Sequence, residues 1–144
     1  MNPTPHSFRP RIAWLTLALA LLLAGCASEP ARQIGLSRLA IGEAEKILLA
    51  GIAHYEDGNY GSALRDLHRA LDLGLKFTSD AVQAHKHLAF IHCVSDRPVS
   101  CRRAFDAALK LDSRFELSKA EAGHPMWGPV FAEAKRASDA LHAR

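Results

Sequence analysis

The residues in this chain best placed to do chemistry are its three cysteines and a group of histidines. Cys26 closes a stretch in which Arg9 and Arg11 precede a 12-residue apolar run, Ile12 to Leu23, and the small residues Ala24 and Gly25. A basic flank, a short apolar core and small residues form the layout of a secretory signal. The run is too short for a membrane-spanning helix, which needs roughly 20 residues. Cys93 and Cys101 flank a turn signal, and residues equidistant from the turn of a helical hairpin face each other. The pair reads as a disulfide that would stabilise an exported domain by about 2–3 kcal/mol, or as two buried free thiols. Its spacing is not Cys-x-x-Cys, which argues against a redox role. His85, His87, His92 and Cys93 invite a metal reading. Residues two apart on a helix diverge by about 200°, so His85 and His87 cannot share an ion. His85 and His92 share a face but lie too far apart to chelate without a third helix. The expectation is that His85 and His92 pack, that His87 is solvated, and that no metal is bound. No Ser-His-Asp order with a Gly-flanked serine, phosphate loop or His-Glu-x-x-His occurs, so the chain does not read as an enzyme.

The stretch Leu23-Ala24-Gly25-Cys26 resembles the lipobox of bacterial lipoproteins. That resemblance implies a diacylglycerol on Cys26, cleavage before it and acylation of the new amino group, with these covalent lipids as the only non-protein groups. Ala27 and Ser28 follow, neither of them Asp, which by the same resemblance implies anchoring at the periplasmic face of the outer membrane. Several acyl chains anchor stably where one is marginal. The expected organisation is a signal over 1–25, a short tether over 26–33 and one domain over 34–144. The two arginines of the signal carry much of the apparent basicity, and without them the net charge falls from +3 to +1. With no run of Lys and Arg, no nucleic-acid partner is expected.

The elements that must position these residues are helices. Ile47, Leu48, Gly51, Ile52 and Tyr55 form one apolar stripe, and Ala63, Leu64, Leu67, Ala70 and Leu71 form a second. Asp57-Gly58-Asn59 separates them, which predicts a hairpin of helices over 43–57 and 61–74. A second hairpin is predicted over 80–94 and 99–111, around Ser95-Asp96-Arg97-Pro98. The two align at a period of 38 residues, matching Gly51 with Ala89, Tyr55 with Cys93, Ala63 with Cys101 and Leu67 with Phe105. The segment Gly51 to Leu73, with Gly58-Asn59-Tyr60, Ala63-Leu64 and Ala70-Leu71-Asp72-Leu73, resembles a tetratricopeptide (TPR) repeat. The second unit departs from that pattern. Asp96-Arg97-Pro98 replaces Gly-x-Tyr, Cys101 replaces the packing alanine, and about four extra residues between Gly74 and Asp80 are expected to lengthen the connection.

The expected fold is therefore all-α, with about two TPR-like repeats over 44–75 and 82–113. Residues 34–42 would cap the front and 114–144 the back. Pro129 suits the first turn of a final helix running from Val130 to about Leu141, with Trp127 and Phe131 in the core. The TPR resemblance implies a concave face lined by Glu45, Leu48, Ile52, Tyr55 and Glu56, then Gln83, Lys86, Phe90, Cys93 and Val94. That mix suits an amphipathic helix or an extended peptide, unless the chain's own N-terminal helix covers it. The whole layout resembles accessory lipoproteins of envelope machines, in particular the TssQ-like group associated with type VI secretion. It implies a non-enzymatic adaptor whose partner is a protein of an envelope secretion or assembly complex. A pilotin or assembly lipoprotein for a pilus or secretin is a second expectation. A periplasmic metal-binding or redox protein using Cys93, Cys101 and His92 is a third.

Overall fold

The computed structural model describes residues 41–143, and every regular element among them is a helix. Helix α1 spans Glu43–Glu56, α2 Tyr60–Leu73, α3 Thr78–Val94, α4 Pro98–Leu111, α5 Lys119–Ala122 and α6 Gly128–His142. Two antiparallel hairpins, α1–α2 and α3–α4, are laid side by side, with α2 against α3 and α1 also touching α3. Helix α6 packs on α4. The expected front cap, 34–42, lies almost wholly outside the described residues, as do Cys26, the signal and the tether.

Local chemistry sets the helix ends. Glu43 and Glu45 place negative charge in the first turn of α1, where the helix dipole favours it. The Asn59 side chain accepts the Ser62 N–H at the start of α2, and Pro98 opens α4 where its missing N–H costs nothing. The two hairpin turns are built alike. Asn59 N–H donates to the His54 carbonyl at 2.8 Å, and 38 residues on Arg97 N–H donates to the His92 carbonyl at 2.9 Å. This turn needs one left-handed residue. Gly58 supplies it at φ 73°, and in the second hairpin Asp96 is held there at φ 54°.

Helices α2 and α4 begin and end at positions 38 apart, but α3 is three residues longer than α1. The extra residues Thr78–Asp80 do not lengthen the connection, as the sequence led us to expect. They add nearly a turn to α3 and leave Gly74–Phe77 as the link. The core runs through both hairpins, from Leu48, Ala63 and Leu67 to Ala84, Leu88, Ala89, Ile91 and Phe105. Small residues set the helix spacing. At Gly51 a Cβ would sit only 3.0 Å from Leu67 Cγ and 3.2 Å from Leu67 N.

The C-terminal part is less regular. After Leu111 the chain does not turn into another antiparallel helix. It runs back past Phe115 and Leu117 and forms α5, which is closed by a capping box in which Ser118 Oγ accepts the Glu121 N–H and Glu121 accepts the Ser118 N–H. Helix α6 then runs in the same direction as α4. Its start (Val130, Glu133) lies beside Pro98 and Val99, and its end (Leu141, His142) beside Leu109 and Lys110. Lys135 ties it to the connection through the Ser113 carbonyl at 2.7 Å and Glu116 at 3.0 Å.

Candidate functional site

The face shared by α1 and α3 carries the residues singled out as a partner groove, and the chain itself covers half of it. Phe90, at the middle of α3, is only 2% exposed because the Trp127 indole stacks on it at 4.4 Å between ring centroids. Trp127 is fixed from three sides. Its Nε1–H donates to the Glu121 carbonyl at 2.8 Å, His124 stacks on its other face at 3.4 Å, and Gly128, next in the chain, presses so closely on the Ala122 carbonyl that a Cβ there would collide with it. Lys86, one turn before Phe90, pairs with Glu121 at 2.7 Å. Residues 118–127 therefore form a strap across α3. Glu121 is buried enough to raise its pKa, but Lys86 and the Ser118 N–H and hydroxyl outweigh this and hold the carboxyl below its usual range.

These contacts correct the proposed groove. Phe90 is sealed under the strap and Leu48, 4% exposed, belongs to the core, so neither is open to a ligand. Cys93 is buried in a disulfide with Cys101, with Cα atoms 5.1 Å apart and Cys101 fully enclosed. The cover over α3 comes from the C-terminal side. His87 is not solvated as expected. It is 8% exposed, edge-on to Tyr55 at 5.2 Å and to Phe90 at 6.0 Å, and its Nδ1 lies 2.7 Å from the Gln83 carbonyl. Burial is the main cause that lowers the His87 pKa, with Lys86 adding to it against the opposing pull of the Gln83 carbonyl.

What stays open lies on α1 and the adjoining edge of α3. Glu56 is exposed, and Glu45, Ile52, Tyr55, Gln83 and Val94 are half-buried. Glu45 accepts the Lys76 N–H at 3.0 Å, which lowers its pKa and ties the α2–α3 link to the start of α1. Tyr55 is tilted against Tyr60 at 5.9 Å, and burial together with the Tyr60, Glu121 and Glu56 charges raises its pKa. Leu49, 55% exposed, lies four residues from Glu45 and three from Ile52, and so extends this face. The sequence reading missed it because it was assigned to no stripe. The strap was missed too, although Ser118-Lys119-Ala120-Glu121 carries the capping-box signal in plain view.

Among the described residues no three His, Cys, Asp or Glu side chains are grouped to hold a metal, and no helix is long and apolar enough to cross a membrane. The face offers contact surface and charge pairing. Comparison with protein-family models, with curated proteins and with solved structures finds no match to this chain.

Proposed function

We propose that the chain is a non-enzymatic adaptor of the TPR type, whose two hairpins present a protein-binding face on α1. In particular, we read it as a lipid-anchored accessory protein of a bacterial envelope machine, held by acylated Cys26 at the periplasmic face of the outer membrane, with type VI secretion as the leading setting. The observation that carries the adaptor reading is the residue-by-residue match of the two hairpin turns at an offset of 38, down to their hydrogen bonds. Helix stacking of this kind builds extended surfaces for protein ligands. The lipid anchor rests on the Leu23-Ala24-Gly25-Cys26 motif. An apolar and aromatic patch rimmed by Glu45 and Glu56 suits an amphipathic helix bearing basic residues.

The test uses photo-crosslinking residues placed singly at Leu49, Ile52 and Glu56 in the full chain, with Arg69 on the exposed side of α2 as control. The expected result is a defined adduct with an envelope secretion component from the first three positions and none from Arg69. Mass spectrometry of the same protein should show an acylated Cys26 at its N-terminus. Equal adducts from all four positions would remove the binding face, and an unlipidated protein absent from membranes would remove the anchor.

A further inference from the structure

The second hairpin differs from the first at a point that leaves a histidine without its counter-charge. In the first hairpin His54 Nε2 on α1 lies 3.5 Å from Asp66 Oδ2 on α2. At the offset of 38, His92 stands in the place of His54 and Ala104 in the place of Asp66. Where the carboxylate would be, the surface opens into a cleft of about 260 Å³. His68 reaches it from α2, His85 and His92 from α3, and Ser100 and Arg103 from α4, around Ala104. Among the described residues no carboxylate lines it. His92 Nδ1 is buried and has no hydrogen-bond partner among the described residues, which leaves the ring without a bond to hold it in place beside the cleft.

We propose that this cleft binds a small oxyanion carrying two or more negative charges, whose oxygens take the place that the Asp66 carboxylate holds beside His54. Three imidazoles, a hydroxyl and a guanidinium are the donor set such an anion needs, and charge-assisted hydrogen bonds are the strong ones. The site lies apart from the α1 face and does not depend on it. Burial lowers the pKa of both His85 and His92. His68 lowers both further, and Arg97 in the turn adds to the effect at His92. The charged and titratable groups facing His92 are thus His68 from α2, His85 from α3, Arg103 from α4 and Arg97 from the turn. All are cationic or neutral, so an anion that favours their protonated forms binds more tightly as pH falls.

The experiment titrates the full chain in neutral-detergent micelles with inorganic phosphate and, separately, with citrate, while sodium chloride holds the ionic strength constant. Histidine ring signals are followed by NMR. Saturable shifts are expected at His68, His85 and His92 and not at His54 or His142. With citrate, which carries at least two charges throughout this range, affinity should be about tenfold weaker at pH 7.5 than at pH 6.5, the limit for uptake of one proton by the site. With phosphate, the gain of charge on the anion over the same interval offsets part of that loss. Arg103→Gln, an exposed position, should weaken binding at least fivefold with an unchanged urea midpoint. Ala104→Asp should raise the His92 pKa and abolish anion binding. Should that variant fail to fold, Arg103→Gln and the pH dependence decide. Shifts that chloride reproduces, that do not saturate, or that survive Arg103→Gln undiminished would overturn the proposal.

Discussion

The bond between Cys93 and Cys101 joins the end of α3 to the first turn of α4, and its removal should weaken the whole domain. The two cysteines are eight residues apart. Loop-closure entropy for a loop of that size gives about 2.5 kcal/mol of stabilisation. Replacing both by alanine also empties some space at Cys101, which is fully enclosed, and adds about 0.5 kcal/mol. The expected loss, about 3 kcal/mol, is a large share of the 5–15 kcal/mol typical of a domain. With a urea dependence of about 1.5 kcal/mol per molar, the unfolding midpoint falls by about 2 M. The assay is a urea titration of wild type and Cys93→Ala/Cys101→Ala, read by far-UV circular dichroism and by the fluorescence of Trp127, the one tryptophan among the described residues. Trp127 stacks on Phe90, three residues before Cys93, so both signals should move together. A midpoint shift below 0.5 M would refute the entropic argument, because the turn hydrogen bonds alone would then be closing the loop. A helical signal that shifts while Trp127 stays put would refute the coupling of hairpin and strap.

Trp127→Ala should cost about 3–5 kcal/mol in urea unfolding and uncover Phe90, whereas Trp127→Phe, which keeps a ring on Phe90 but loses the N–H to Glu121 and part of the stack with His124, should cost less, about 1–2 kcal/mol. Gly51→Ala forces a methyl against Leu67, whose backbone nitrogen cannot yield. The overpacking, about 1–3 kcal/mol, should exceed the helix-propensity gain of about 1 kcal/mol and lower the melting temperature. His85, His87 and His92 all have lowered pKa values, led in each case by burial, so the unfolded chain binds their protons more readily. Their contribution is complete above the unfolded value of about 6.5 and is lost as pH falls from there through the folded values. Urea midpoints at pH 7.5, 6.5 and 5.5 should fall in that order, and a flat profile would contradict the burial of His87.

The helices were readable because each hairpin announces itself twice, once in the 3.6-residue spacing of Leu64, Leu67 and Leu71, and once in turn residues such as Gly58 and Pro98. Those signals are local, and the expected boundaries fall within two residues of the observed ones. What was not readable depends on contacts between distant segments. Whether Phe90 faces solvent is decided by Trp127, 37 residues later. His87 was assigned to water because His85 and His92 were given the packing positions of that helix, yet Tyr55 of the preceding hairpin encloses it. Thr78–Asp80 carry no apolar spacing to announce a helix, although Asp80 in the first turn of α3 suits a helix start. His68 was passed over on the polar side of α2, and its meaning appears only when α3 and α4 bring their own donors beside it.

The differences between the two hairpins have a common physical consequence. In the first, Tyr55 and Tyr60 meet across the turn, and Gly58 takes the left-handed conformation without strain. In the second, the matching residues are Cys93, Pro98 and Asp96, so the aromatic clasp is gone and a residue with a Cβ must hold a positive φ. The disulfide supplies the closure that the clasp gives in the first hairpin. Exchanging tyrosine for cysteine also removes a large side chain one turn beyond Phe90 on the same face of α3. The strap lies on that helix and stacks its indole on Phe90, while Tyr55 stands at the corresponding level of α1. One difference between the hairpins thus goes with both the covalent bond at the second turn and the cover that the strap lays over α3. It leaves Leu49, Ile52, Tyr55 and Glu56 of α1 outside the strap's cover.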